Sequence, residues 1–315
     1  MGKILIVGGV RNWSMDRVCR GIVPHSKHDI EVTNYWLGGY TPSDWDAIYI
    51  HSGAVMSGKN KQYVLDHRED TKWAVGIRGP TAYKRNVDRL NSTLWDAYSC
   101  GSVFWVDLVK RGSKELDIQA YVCHGGIDLS CFTVQPFPEK FTIGWVGNAG
   151  NGAKRFRRFY ELPFRRLIVG GGGIQRIFNV PIPEEINNGV KYEMEWTPTV
   201  KYSLLNDLYA KCSIYVNVSY REGGPLPIKE AAACGRPVVC TRAGDGPEWI
   251  PEEYIVDTEI RKWDRDKMIE IINRFKNDRD LLEREGKRFK ELSKRWDFSV
   301  IVKEYDAMFD GMLNG

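Results

Sequence analysis

Residues 213–237 read SIYVNVSYREGGPLPIKEAAACGRP. The apolar run 213–220 predicts a buried strand, Gly223 and Gly224 a tight turn, and residues 225–234 a helix that tolerates proline in its first turn and stops at Gly235, before Pro237. A strand, a glycine turn and a helix start in that order make an anion site. The amides and the positive end of the helix face the ligand, and the glycines let it come close. Two carboxylates bracket the turn. Glu222 stands before the helix and Glu230 eight residues on, a separation of roughly 12 Å at helical pitch. A glycosidase carboxylate pair is closer, at about 5–9.5 Å. The longer spacing suits two hydroxyl-bearing groups on either side of a diphosphate, the shape of a sugar nucleotide. The plainer alternatives are a capping Glu222 and a solvated Glu230.

Outward from this stretch, strand signals alternate with amphipathic segments, as in parallel sheets covered by helices. KILIVGG (3–9), DIEVTNYW (29–36), DAIYIHSG (46–53), KWAVGIRG (72–79) and QAYVCHGG (119–126) form a first series. FTVQPFPEK (132–140) carries two prolines and no periodicity, and reads as a linker. FTIGWVGN (141–148), RRLIVGGGG (165–173), residues 213–220 and RPVVCTRAG (236–244) form a second series, and from Lys262 onward the pattern is helical. The expected fold is α/β, with two Rossmann-like domains facing across a cleft: residues 1–135, residues 136–295, and a final helix over 296–315 packing back toward the first domain.

The stretch resembles glycosyltransferase family 4, retaining enzymes of the GT-B fold, in which a Glu, seven residues and a second Glu precede an Ala-rich turn, Gly and Pro-Val, as in EAAACGRPVV here. AGDGPEWI (243–250) is similar to the family's glycine loop and Pro-Glu. GWVGNAGNGAKR (144–155) looks like the opening of its donor domain. The resemblance implies a nucleotide-diphosphate sugar as donor, in the second domain. Glu222 would hold the sugar hydroxyls, Glu230 the ribose, and Lys154 the diphosphate, with Gly147, Gly223, Gly224 and Leu226 around it. Asn148 stands where the family has Arg, so Arg155 is the neighbour expected to compensate. YVCHGGIDLSCF (121–132) and RWDFSVIVKEYDAMF (295–309) are similar to the segments that close the family's two domains. In the first domain, Gly8 and Gly9 match the family's glycine loop loosely. His51 and Arg78, each ending a strand, are candidates to line the acceptor side with catalytic roles.

Other signals are weaker. RLIVGGGGIQRI fails the dinucleotide fingerprint at Gln175. The basic run Lys154, Arg155, Arg157, Arg158, Arg165 and Arg166 is a solvated helix face or, alternatively, a track for a polyanion such as nucleic acid. Asp264–Asp266 and Asp278–Asp280 mimic a metal-binding DxD but lie in charged helical sequence, so no essential metal or cofactor is expected. The chain has 315 residues, 43% hydrophobic and 27% charged, with a net charge of +4, which excludes a disordered chain and does not mark a nucleic-acid binder. Seven scattered cysteines without a CxxC pair suggest thiols in a reducing compartment. No signal core or membrane span is legible, so a cytoplasmic protein is expected. The reading is a retaining transferase acting on a glycan, lipid-linked sugar, small molecule or nucleic acid. The alternatives are a transferase for modified bases and a non-catalytic nucleotide-sugar binder.

Overall fold

The computed structural model describes residues 1–9, 14–34, 39–56, 58–87, 93–112, 119–170, 194–197, 201–258 and 263–315. The chain divides into two units, one of residues 1–128 with 295–315 and one of residues 129–294.

Among the described residues, the first unit holds a six-stranded parallel sheet: β1 (Lys3–Gly8), β2 (Asp29–Asn34), β3 (Ala47–Ile50), β4 (Lys72–Ile77), β5 (Ala97–Cys100) and β6 (Gln119–Val122), in the order β2-β1-β3-β4-β5-β6. Its central strands are apolar without alternation, and every residue of β3 and β5 is buried. That is the pattern of strands covered on both faces. The covering helices are α1 (Ser14–Ile22), α2 (Lys59–Asp66), α3 (Pro80–Asn86) and α4 (Val103–Gly112). The chain's last helix, Phe298–Asn314, adds Ile301, Tyr305, Met308 and Phe309 to the same core.

The second unit contains β7 (Ile143–Val146), β8 (Arg166–Val169), β9 (Met194–Thr197), β10 (Ile214–Asn217), β11 (Val238–Thr241) and β12 (Ile255–Val256), in the order β12-β11-β10-β7-β8-β9, all parallel. Its helices are α5 (Phe156–Tyr160), α6 (Leu205–Ala210), α7 (Leu226–Ala233), α8 (Arg265–Asn277) and α9 (Arg279–Ser293); α10 (Phe298–Asn314) then completes the first unit. Residues 132–140 lie along this second unit. Arg236, itself fully buried, donates to the carbonyls of Gln135 at 2.9 Å and Pro136 at 3.1 Å. The two Asp-Arg-Asp triplets have a mechanical explanation. Asp264 and Asp278 are the N-caps of α8 and α9, accepting from the amides of Lys267 and Leu281. Of the glycine run, Gly170 is described and 171–173 lie outside the described residues.

The strand orders decide where a ligand can sit. In each sheet the connections reverse direction once, between β1 and β3 in the first and between β7 and β10 in the second. The carboxyl ends of two such strands leave a crevice between diverging loops, the usual ligand position in open α/β sheets.

Candidate functional site

At the reversal in the second sheet, the loop after β7 meets the loop after β10. Tyr220 N–H donates to the Ala153 carbonyl at 3.0 Å and joins them. The β7 loop packs closely at its glycine. A Cβ on Gly147 would lie 3.1 Å from Lys154 Cδ and from the Trp145 ring, so the bare backbone lets the lysine stem pass. The Asn148 side chain does not reach outward as an arginine would. Its Oδ1 accepts from Gly150 N at 2.9 Å and closes the turn. Lys154 Nζ donates to Glu222 Oε1 at 2.9 Å, and Ser219 Oγ donates to the same oxygen at 2.8 Å. Lys154 and Glu222 are both mostly buried. The structure therefore brings together, as an ion pair, the two residues to which the resemblance gives the diphosphate and the sugar.

Helix α7 starts without a side-chain cap, with Pro225 at the N-cap position, so Glu222 is not a cap. Pro225 and Pro227 cannot donate, and the amides at the helix start belong to Gly223, Gly224, Leu226 and Ile228. Gly244, at φ +65°, packs beneath this turn. A Cβ there would be 2.9 Å from both Glu222 Cβ and Pro225 Cδ, which reserves the position for glycine.

Glu230 is not solvated: it is 1% exposed and accepts a hydrogen bond of 2.7 Å from Tyr209 OH. Burial, and then the Glu230 charge, push the Tyr209 phenol well above its ordinary range, so it remains a donor. One residue before Glu230, Lys229 Nζ lies 2.6 Å from Asp245 Oδ2, both side chains fully buried. Sequence reasoning passed over Tyr209, Ser219, Lys229 and Asp245. The one legible signal was a lone lysine in an alanine-rich helix with no polar face.

The other candidates lie in the first unit. Gly8 and Gly9 follow β1, where Asn34 Nδ2 donates to the Gly9 carbonyl at 2.6 Å. His51 follows β3, on the other side of that sheet's reversal, and its amide donates to the Val7 carbonyl at 3.0 Å. Its ring is 3% exposed, with Nδ1 3.0 Å from Tyr49 OH. Burial, reinforced by the Arg78 cation, holds the imidazole well below its ordinary pKa, so it is neutral. Arg78 donates to Tyr49 OH and Ser99 Oγ at 2.7 Å each, to Tyr305 OH at 3.2 Å and to the Cys123 carbonyl. Those are neutral acceptors, and its buried Nε has no hydrogen-bond partner among the described residues.

Several solved structures share this architecture over nearly the whole chain. Anabaena HepE in complex with UDP-glucose superposes with a TM-score of 0.74 at 13% identity, over 98% of this chain and 100% of that one. Sucrose-phosphate synthase from Thermosynechococcus elongatus does so with a TM-score of 0.72 at 15% identity, over 99% of each. The fold is GT-B.

Within this GT-B chain, residues 151–278 match the family described as "Glycosyl transferases group 1". That segment contains Lys154, Glu222 and Glu230. The chain is also similar to one of the subunits of phosphatidylinositol N-acetylglucosaminyltransferase, 30% identical over 112 residues to the Arabidopsis thaliana protein and 31% over 100 residues to the Homo sapiens one. The matched segments cover 36% and 30% of this chain, but only 24% and 19% of those relatives. Among the described residues of the GT-B chain, no helix is long and apolar enough to cross a membrane.

Proposed function

We propose that this chain is a retaining glycosyltransferase that moves a sugar from a nucleoside diphosphate sugar, bound at the reversal of the second sheet, to an acceptor hydroxyl met by the first unit. The observation that carries the reading is the Lys154–Glu222 pair, 2.9 Å apart at the carboxyl ends of the two strands where the connections diverge. The bond from the anomeric carbon to the diphosphate breaks with its electrons on the phosphate, the acceptor oxygen bonds to that carbon, and its proton passes to the departing oxygen on the same face.

Negative charge gathers on the diphosphate, so positive charge and oriented amides matter more than a general base. An ammonium has three hydrogens. Lys154 gives one to Glu222 and has others for phosphate oxygens, and Gly223, Gly224 and Leu226 bring the amides of the neighbouring turn and helix start. Glu222 takes sugar hydroxyls, and Glu230, held by Tyr209, takes the ribose. Because this charge is built into the protein, the reaction needs no metal. His51 and Arg78, at the strand ends of the first sheet, are the acceptor-side candidates. The matched relatives name a lipid acceptor and N-acetylglucosamine transfer, and HepE carries UDP-glucose, so UDP-sugars and lipid-linked or glycan acceptors come first.

Asn148 favours one second reading, a nucleotide-sugar binder without transfer, since its side chain closes a turn where the family has a phosphate-binding arginine. Donor hydrolysis or transfer separates the two. The test is a thermal-shift panel of UDP, GDP, ADP, CMP, TDP and their sugar conjugates. A ligand at a hundred times its Kd stabilises by about 2.7 kcal/mol, a shift of several degrees. One nucleotide class should respond, and turnover with that donor should be equal in EDTA and in manganese. Silence across the panel overturns the donor site, and turnover that is lost in EDTA and restored by manganese overturns the metal-free chemistry.

A further inference from the structure

In the first unit a buried chain of hydrogen bonds ends on His51. Tyr49, fully buried in β3, has its OH 3.0 Å from His51 Nδ1, 2.9 Å from Ser99 Oγ and 2.7 Å from Arg78 Nη2. Arg78 Nη2 also reaches Ser99 Oγ at 2.7 Å and Tyr305 OH at 3.2 Å, and Tyr305 OH donates to the His124 carbonyl at 3.0 Å. The Tyr305 and Phe309 rings of α10 lie 6.2 and 6.1 Å from the Tyr49 ring and hold it in place. Strand β4 leaves room for the chain at Gly76, where a Cβ would be 1.8 Å from the His51 carbonyl oxygen and 3.2 Å from Tyr49 OH. A side chain there would push His51 off Tyr49.

This chain fixes which nitrogen of His51 carries the proton. The imidazole is neutral, so one ring nitrogen donates and the other accepts. Burial, against the pull of the Arg78 cation, pushes the Tyr49 phenol above its ordinary range, so it keeps its single hydrogen. Two arrangements satisfy the oxygens. In one, Ser99 donates to Tyr49, Tyr49 donates to His51 Nδ1, and the ring proton sits on Nε2. In the other, His51 Nδ1–H donates to Tyr49, which donates to Ser99. A phenol, with a pKa of about 10, is a stronger donor than a neutral imidazole N–H, and an imidazole, whose conjugate acid has a pKa of about 6.5, is a stronger acceptor than a phenol oxygen. Arg78 widens the difference. A cation on the Tyr49 oxygen polarises the O–H outward and draws on the lone pair that the second arrangement needs. The first arrangement is therefore the stable one.

We propose that Arg78 and Tyr49 are positioning residues that hold His51 as the Nε2–H tautomer, so that the end of β3 presents a hydrogen-bond donor and not a general base. Among the described residues the His51 ring makes no other hydrogen bond, which leaves Nε2–H for a substrate oxygen. That use rests on the proposed transfer, in which the acceptor proton passes to the departing diphosphate and no protein base is required. The tautomer itself does not rest on it.

The experiment records long-range ¹H–¹⁵N correlations of the imidazoles in the full chain labelled with ¹⁵N-histidine, at neutral pH. His51→Gln identifies the His51 signals by their loss, and His28, whose Nδ1 accepts from the Gly2 amide at 3.1 Å, supplies an Nε2–H reference in the same spectrum. His51 should show the same pattern, an unprotonated Nδ1 and a protonated Nε2. A protonated Nδ1 in the wild-type chain overturns the proposal, and no variant is needed to see it. In Tyr49→Phe the two His51 nitrogens should move toward each other as both tautomers become populated, with His28 unchanged. Arg78→Lys, which keeps the charge without the fork, should move them in the same direction and serves if Tyr49→Phe does not fold. A wild-type pattern in either folded variant overturns the positioning role of the residue replaced. In a transfer or donor-hydrolysis assay, Tyr49→Phe should lower kcat about tenfold at unchanged donor KM in the wild-type chain, and have no further effect in His51→Gln. An equal loss in both backgrounds makes Tyr49 a structural residue and overturns its action through His51. An inactive chain that keeps the Nε2–H pattern supports the tautomer and overturns the transfer reading alone.

Discussion

Lys154 and Glu222 cannot be read as independent residues, because each neutralises the other. On the proposed reading, replacing Lys154 by Met removes a cation from the departing diphosphate, and it breaks the ion pair with Glu222. Losing one transition-state donor costs about 10²-fold or more in turnover. We therefore expect Lys154→Met to lower kcat/KM at least that far, Glu222→Gln to lower it less, and the double variant to lose much less than the product of the two. Strictly multiplicative losses in a transfer or donor-hydrolysis assay would mean that the pair is not a unit. At the other candidate end, His51 makes a statement about pH. Its folded pKa lies well below the ordinary value, from burial and then the Arg78 cation, whereas the unfolded chain titrates near 6.5. As pH falls below about 6.5 the unfolded state gains a proton that the folded state refuses, so stability present above that pH is lost on acidification, at up to about 1.4 kcal/mol per pH unit from this group. Denaturant midpoints from pH 7.5 to 5 should fall more steeply in wild type than in His51→Gln. Parallel curves would remove His51 from the account.

At the scale of elements, α7 is held by a buried ion pair to the loop after β11, with Lys229 on the helix and Asp245 next to Gly244. Since Gly244 packs beneath Glu222 and Pro225, the pair fixes the turn that presents the helix amides. Breaking such a pair on one side leaves a buried charge and costs about 3–5 kcal/mol, whereas replacing both by apolar groups is often near neutral. Lys229→Met and Asp245→Leu should each lower the urea midpoint sharply, and the double variant should recover most of the loss; a double variant as unstable as the sum would show that packing, not charge, holds the loop. This pair also shows where the sequence stopped speaking. Strands with long apolar runs, such as Lys3–Gly8 and Lys72–Ile77, were legible because both faces are covered. β5 went unseen because Ala97–Cys100 (AYSC) has no branched aliphatic residue, and β12 because it is two residues long. The continuous helical pattern after Lys262 hid a break at Asp278, which caps α9 through a side-chain bond that periodicity does not register. At the site, Glu222 and Glu230 were marked by spacing, but Tyr209, which holds Glu230, is 21 residues away in sequence, and only the fold closes that distance.

For the whole molecule, the decisive fact is that the chain ends in the unit where it began. Residues 295–315 belong with 1–128, and Ile127 bridges Asp297 in parallel fashion as the chain returns. Helix α10 contributes seven buried residues to the first unit: Phe298, Ile301, Val302, Tyr305, Met308, Phe309 and Met312. It also places Tyr305 OH on the His124 carbonyl at 3.0 Å and beneath Arg78, and Glu304 on the His124 backbone amide at 2.7 Å. Burying a large apolar side chain is worth about 1.5–3 kcal/mol, so the helix accounts for roughly 10 kcal/mol or more, comparable to the whole stability of a domain at about 5–15 kcal/mol. The first unit should therefore not fold without it, although 295–315 is the part of that unit farthest along the chain from β1. Truncation after Lys294 should leave β1 and β3–β5 exchanging their amide hydrogens at unfolded rates while β7, β8, β10 and β11 stay protected, read strand by strand in hydrogen-exchange mass spectrometry. A peptide of residues 295–315 added in trans should restore protection to the first sheet. Full protection of that sheet in the truncated chain would mean that α10 rides on a core complete without it, and the Arg78–Tyr305 contact would then be incidental to the fold of the first unit.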